Sequence, residues 1–140
     1  WLGRIHYDSE EYQPALNFFS STVKFGGNVG AESRFMISQI EYDLGNYESA
    51  ETNIFTLVSD YSSYDEWKFK GFLLLVRTYI GLDDLFQARA TAESILENVE
   101  VEWVQNACSD LMLEIESLEG NDLNGTELIE NGTQNEVNEK

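Results

Sequence analysis

The sequence predicts an all-α solenoid: about seven helices stacked as antiparallel pairs, with a covering helix at the C-terminal end. Two observations lead there. An aromatic residue or Leu followed three positions later by Ala recurs as Tyr12-x-x-Ala15, Tyr47-x-x-Ala50 and Leu85-x-x-Ala88, with successive alanines 35 and 38 residues apart. A period of that size marks an array of helix pairs, each too small to bury its own apolar face without its neighbours. Between these fingerprints, apolar residues return at helical spacing rather than in alternation.

The elements follow in order. A first helix is expected from Trp1 to about Ser9, and its partner from Tyr12 to about Lys24. Pro14 lies in the partner's first turn, where a missing N–H costs nothing. Glycines mark 25–30 as a loop. The second pair begins with Ala31 to Leu44, which carries Phe35, Ile37, Ile40 and Leu44 at helical spacing. Gly45 is placed to end that helix in a left-handed cap, and Asn46 to cap the next. That next helix, Tyr47 to about Asp60, has Ala50, Ile54, Leu57 and Val58 on one stripe. A polar connector, 61–65, leads to a third pair, roughly Glu66 to Gly81 and Asp84 to Asn98. The last helix, Val101 to Leu118, has an apolar stripe through Trp103, Val104, Ala107, Cys108, Leu111, Met112 and Ile115. It has no partner after it and is expected to cover the third pair, with Trp103, Leu111 and Ile115 facing that pair. From Gly120 the chain turns to Asn, Gly, Glu and Thr. Such a composition cannot offset an ordering cost of about 1–2 kcal/mol per residue, so 120–140 is expected to be a disordered acidic tail. The repeats thus fall at about 1–25, 31–60 and 66–98, the covering helix at 101–119, and one domain at 1–119.

The charge is one-sided. Eight Lys+Arg against 26 Asp+Glu give a net charge of −18, and from Glu97 to Glu139 there are 12 acids and no Lys or Arg. That field repels phosphate backbones and anionic headgroups, which argues against nucleic-acid and membrane-surface partners. No run of 18 apolar residues exists to span a bilayer. A single cysteine, Cys108, excludes an intrachain disulfide. The chain opens at Trp1 already inside a helical pattern and is expected to be the C-terminal part of a longer protein.

With the helices placed, the repeats resemble the tetratricopeptide family. There a small residue of the first helix faces the alanine of the second; here Gly3 and Ser38 face Ala15 and Ala50. Gly45 matches the family's inter-helix glycine, Tyr12 and Tyr47 the aromatic after it, Tyr79 the first-helix aromatic and Phe19 the one deep in the second helix. The third pair, Phe72 to Ala90, is similar to the last repeat of long tetratricopeptide proteins of Bacteroidetes-type bacteria. The resemblance covers residues 1 to about 119. The chain also departs from the pattern. Val76 stands where a small residue is expected, implying a wider third pair. Glu10 and Asp83 replace the inter-helix glycine, no proline closes a repeat, and the 38-residue step implies an enlarged connector around Tyr61 to Glu66.

Catalytic and metal chemistry find little purchase. His6, the only histidine, has no second His or Cys nearby with which to hold zinc. Cys108 lies on an apolar stripe among acids, the opposite of the electropositive setting a reactive thiolate needs, and is expected in the core. Glu10-Glu11 and Asp83-Asp84 fall at helix starts, where the helix dipole stabilises anions, so capping is their expected role. Gly26 to Gly30 lacks the Gly-Lys-Ser/Thr of a phosphate cradle. Asp122-x-Asn124-Gly125 lacks the decisive carboxylates of a calcium loop. Asn124-Gly-Thr126 and Asn131-Gly-Thr133 match the glycosylation acceptor but are expected by chance in such a tail. No cofactor, metal or catalytic residue is expected.

What remains is a surface. In the family that the chain resembles, first-helix residues line a concave groove. Matched position by position they are Arg4, Tyr7 and Asp8, then Glu32, Phe35, Gln39, Tyr42 and Asp43, then Lys70, Leu73, Arg77 and Ile80. Aromatic anchors beside Arg and Asp suit protein recognition. The resemblance implies a non-catalytic protein–protein interaction scaffold, placed in the bacterial periplasm or envelope and serving its assembly. The net charge adds a preference for a basic protein or peptide partner, and the Phe35 and Tyr42 anchors for one that is also apolar. Two other roles fit the same sequence: a structural C-terminal cap of a longer array, or an accessory or regulatory domain of an enzyme.

Overall fold

The computed structural model describes the backbone of residues 2–138 and the side chains of residues 2–121. Among the described residues seven α-helices follow one another: α1 (Leu2–Asp8), α2 (Tyr12–Thr22, extended by a 3-10 turn at Val23–Phe25), α3 (Gly27–Asp43), α4 (Tyr47–Asp60), α5 (Asp65–Gly81), α6 (Leu85–Asn98) and α7 (Glu102–Asn138). Each helix packs on the next, and α3 with α5 and α5 with α7 also pack side by side. The all-α solenoid of helix pairs is therefore the architecture.

Helix pairs turn on one repeated device. Glu10, Gly45 and Asp83 all take positive φ, at 59°, 80° and 57°. At each, the left-handed residue's N–H bonds back to the carbonyl three before it, and the following N–H reaches five back: Glu10 to Tyr7 (2.9 Å) and Glu11 to His6 (2.7 Å), Gly45 to Tyr42 (2.9 Å) and Asn46 to Glu41 (2.8 Å), Asp83 to Ile80 (3.0 Å) and Asp84 to Tyr79 (2.9 Å). This is a Schellman cap made three times. Two of the three use a residue with a β-carbon, at a conformational cost of about 1–2 kcal/mol each.

Capping differs from expectation. Asp84 accepts from the backbone N–H of Gln87 at 3.1 Å and caps α6. Asn46 makes no side-chain cap bond; its amide instead donates to Glu41 Oε2 at 2.9 Å. Glu11 also leaves its helix uncapped and pairs with His6 across 2.6 Å.

The expected loop at 25–30 is a correction. Only Gly26 and Gly27 turn the chain, both at positive φ, and α3 has begun by Gly27. Gly30 is a helical packing position: a β-carbon there would stand 2.6 Å from the Tyr61 hydroxyl. Asn28 accepts from the Trp67 indole N–H at 2.9 Å, tying the start of α3 to α5. Helices α3 and α5 are both 17 residues long, so the longer repeat step is taken up in α4 and the connector at 61–64.

The core runs along the pairs as linked clusters. Ala15, Phe19, Met36, Ile37 and Ile40 join the first two pairs. Ile54, Leu74 and Leu75 join α4 to α5. The largest cluster packs Val76, Ala88, Ala92 and Ile95 against Val104, Cys108, Leu111 and Ile115 of α7. The last helix does cover the third pair. Trp103 departs from the expectation: it is 43% exposed and meets the pair only edge-on, at 6.5 Å from Phe69. Cys108 is buried, its thiol 3.3 Å from the Ala92 carbonyl, and burial raises its pKa.

Helix α7 is longer than its apolar stripe. Its backbone stays helical to Asn138, across the stretch where composition predicts no order. Side chains beyond 121, including both Asn-Gly-Thr matches and the Asp122 segment, lie outside the described residues.

Candidate interaction surface

The first helices of the three pairs, α1, α3 and α5, carry every residue expected in the groove. Asp43, at the last position of α3, is where α1 meets α3. The Tyr7 hydroxyl of α1 donates to Asp43 Oδ2 at 2.8 Å, and the Gln39 amide donates to Asp43 Oδ1 at 2.9 Å. One exposed carboxylate is thus held by two donors from neighbouring repeats. Tyr7 packs on Tyr12 with centroids 6.0 Å apart, and Tyr42 packs on Tyr47 at 5.5 Å.

The tyrosines report the local field. Burial, then the Asp43 hydrogen bond and charge, raises the pKa of Tyr7. Burial followed by Asp43 and Glu10 raises Tyr12. Tyr42 is raised by burial and Tyr47, with Arg77 acting in the opposite direction. A phenolate is disfavoured at each, so these rings stay neutral, Tyr7 as a donor and Tyr12 and Tyr42 as apolar walls.

The other expected residues divide. Arg4 pairs with Glu32 across α1 and α3. Lys70 is held by Glu66 at 2.9 Å and lies 4.5 Å over the Trp67 ring. Arg77 is partly exposed and Asp8 is exposed. Phe35 stacks on Trp67 at 5.8 Å and packs against three of the core clusters. Leu73 is a correction: at 4% exposure it belongs to the core behind α5 and offers no groove surface. Ile80 likewise packs against that core. The cause is register, since the α5 turn bearing Leu73 is wedged between α6 and α7.

Two features escaped the sequence reading. Tyr7-Asp8 with Tyr12, and Tyr42-Asp43 with Tyr47, repeat at the same 35-residue step as the alanines, a signal that was available. The other is a cavity of about 440 Å³ between the starts of α5 and α7, lined by Asp65, Glu66, Phe69, Lys70, Val101 and Trp103. Its residues come from separate helices, and no spacing in the chain announces it. Among the described residues no three His, Cys, Asp or Glu side chains gather to hold a metal ion. Nor is any described helix long and apolar enough to cross a membrane.

No family model matches the chain, and no curated protein matches it. Among solved structures it is similar to the Hsp90 co-chaperone Cns1 from Saccharomyces cerevisiae (delta69), with a TM-score of 0.70 at 13% identity. The match covers 92% of this chain, which spans 42% of the yeast chain. At that identity the likeness speaks for the fold, and the fold is a tetratricopeptide-like array of helix pairs. It lends nothing to the bacterial setting that the third pair's resemblance implies.

Proposed function

We propose that this chain is a non-catalytic protein-interaction scaffold whose partner surface is the face formed by α1, α3 and α5. One observation carries the reading: Asp43 is fixed by Tyr7 and Gln39 from two repeats while remaining exposed. A surface ordered before binding loses less side-chain entropy on association. Arg4, Tyr42 and Arg77 extend that surface, with Lys70 and Phe35 at its margins. The net charge of −18 favours a basic partner and the Tyr42 and Phe35 rings an apolar one, and an envelope setting rests on the resemblance alone.

The test is photo-crosslinking in cells that express the protein. A benzophenone amino acid replaces Gln39 or Arg77 on the partner face, or Thr52 or Thr91 on the second helices. Adducts should form from Gln39 and Arg77. Equal adducts from all four positions would remove the face from consideration.

A second reading, a structural cap within a longer array, draws on the two ends of the stack. Helix α7 seals the third pair, whereas α1 leaves Leu2 and Ile5 about half exposed, at 47% and 49%. Absence of any adduct from Gln39 or Arg77 would favour it.

A further inference from the structure

We propose that the Asp43 cluster is a subsite for an arginine side chain of the partner; the proposal rests on reading the α1–α3–α5 face as the interaction surface. An ionised carboxylate has about four acceptor sites, and Tyr7 and Gln39 each use one. The remaining lone pairs stay available because Asp43 is exposed. Among the described residues no cation takes them. The ion pairs of Arg4, Lys68, Lys70 and Arg89 all engage other acids. The Arg77 guanidinium acts on Tyr42 without pairing with Asp43, and Glu114 opposes it there.

The surroundings select for positive charge. Helices α1 and α3 end here, at Asp8 and Asp43, and their C-terminal carbonyls carry partial negative charge. Glu10 adds another acid in the adjoining turn. Asp43 also stands between two tyrosine pairs: it accepts from Tyr7 of the first and follows Tyr42 of the second. The hydroxyls of Tyr12, Tyr42 and Tyr47 make no hydrogen bond among the described residues and offer acceptors beside ring faces.

That set fits a guanidinium better than an ammonium. A planar guanidinium can bond a carboxylate while its face stacks on an aromatic ring and its spare N–H groups reach hydroxyls. An ammonium is a compact point charge that would use Asp43 and little else. The arrangement does not recur in the third pair. At the equivalent place in the third pair stand Ile80 and Gly81, followed by Leu85, with neither carboxylate nor tyrosine.

Three small probes test this without the natural partner: N-acetyl-arginine amide, N-acetyl-lysine amide and N-acetyl-citrulline amide, titrated at low salt into the ¹⁵N-labelled chain. Arginine amide should shift the backbone amides around Tyr7, Asp43 and Tyr42. Lysine amide should bind several-fold more weakly there, and neutral citrulline amide should not bind. Asp43→Asn should weaken the arginine probe by roughly tenfold, the loss of one charge-assisted contact. Tyr42→Leu provides a second variant, keeping an apolar contact for Tyr47 while removing the aromatic face and hydroxyl; it should weaken the arginine probe more than the lysine one. Thermal midpoints matching the parent show that both variants fold. No localised shifts, equal response to arginine and lysine, binding of citrulline, or an unchanged affinity in Asp43→Asn would each overturn the proposal. If the probes fail while Gln39 and Arg77 still crosslink a partner, the scaffold stands and the arginine subsite falls.

Discussion

The ring of Tyr47 lies where a side chain of Gly81 would be: a β-carbon on Gly81 would stand 2.6 Å from its Cε1 and Cζ atoms. The start of α4 thereby closes on the end of α5, with the Tyr42 ring tilted against Tyr47 at 5.5 Å. Gly81 has no positive φ, so its smallness serves packing alone. Gly81→Ala should destabilise the chain by about 1–3 kcal/mol through overpacking, outweighing the helix propensity that Ala gains. Urea midpoints measure it. Tyr47→Leu should relieve the clash, making the double variant better than the sum of the two single ones.

Asp83 offers the opposite case. It holds φ at 57° in the cap where the second pair uses Gly45. Asp83→Gly removes a β-carbon penalty of about 1 kcal/mol, partly offset by the freedom glycine adds to the unfolded chain. A rise in thermal midpoint of a few degrees is expected. A fall would mean that the Asp83 side chain makes a compensating contact.

How much could be read beforehand varies with the kind of signal. Repeat spacing placed Ala15, Ala50 and Ala88, all of them fully buried, at the helix contacts. Gly45 announced one of the three left-handed caps; at Glu10 and Asp83 no glycine marks the conformation, and both were expected at helix starts instead. Glycine was misleading at Gly30, because a glycine that makes room for a ring and one that turns a chain are the same letter. Leu73 was misplaced because matching by the family's offsets takes no account of α7, which packs beside α6 on α5 and buries that position. The contact between Tyr7 and Asp43 was not legible, since 36 residues separate them and only the stacking of the repeats brings them together.

Alkaline pH should loosen the fold in a defined window. Tyr79 is pushed up to about 12, first by burial and then by the Glu51 carboxylate beside it. Tyr7 is raised further, for similar reasons. An unfolded tyrosine ionises near 10, so above that pH the unfolded chain binds fewer protons than the folded one. Stability must then fall as pH rises from about 10 toward 12, and it is fully present below 10. Absorbance at 295 nm should show two tyrosine classes, the later one ionising together with the loss of helix by circular dichroism. A single transition near 10 with the helix intact would contradict the two raised values.

The acidic tail has helical backbone to Asn138 but a sequence of poor helix formers, with Lys140 the single cation against five acids. Removing 122–140 should change stability by less than about 0.5 kcal/mol, because among the described residues the last buried apolar side chain is Ile115 and the last interhelical ion pair is Arg89 with Glu119, both of which are retained. In the full chain, amides beyond 122 should exchange at nearly free rates. Slow exchange there would mean that the helix is held by something other than its own propensity.

Helix α7 up to Glu119 should matter far more. Val104, Cys108 and Ile115 are fully buried against the α5–α6 pair, and Leu111 nearly so. Ile115→Ala leaves a cavity in that seam and should cost about 2–5 kcal/mol. Truncation after Asn98 removes the whole seam and exposes Val76, Ala92 and Ile95. A chain cut there should lose its cooperative transition or associate through the uncovered face. Analytical ultracentrifugation with a thermal scan distinguishes these outcomes. A monomer that melts where the full chain does would show that the third pair is complete without α7, and the covering role would have to be given up.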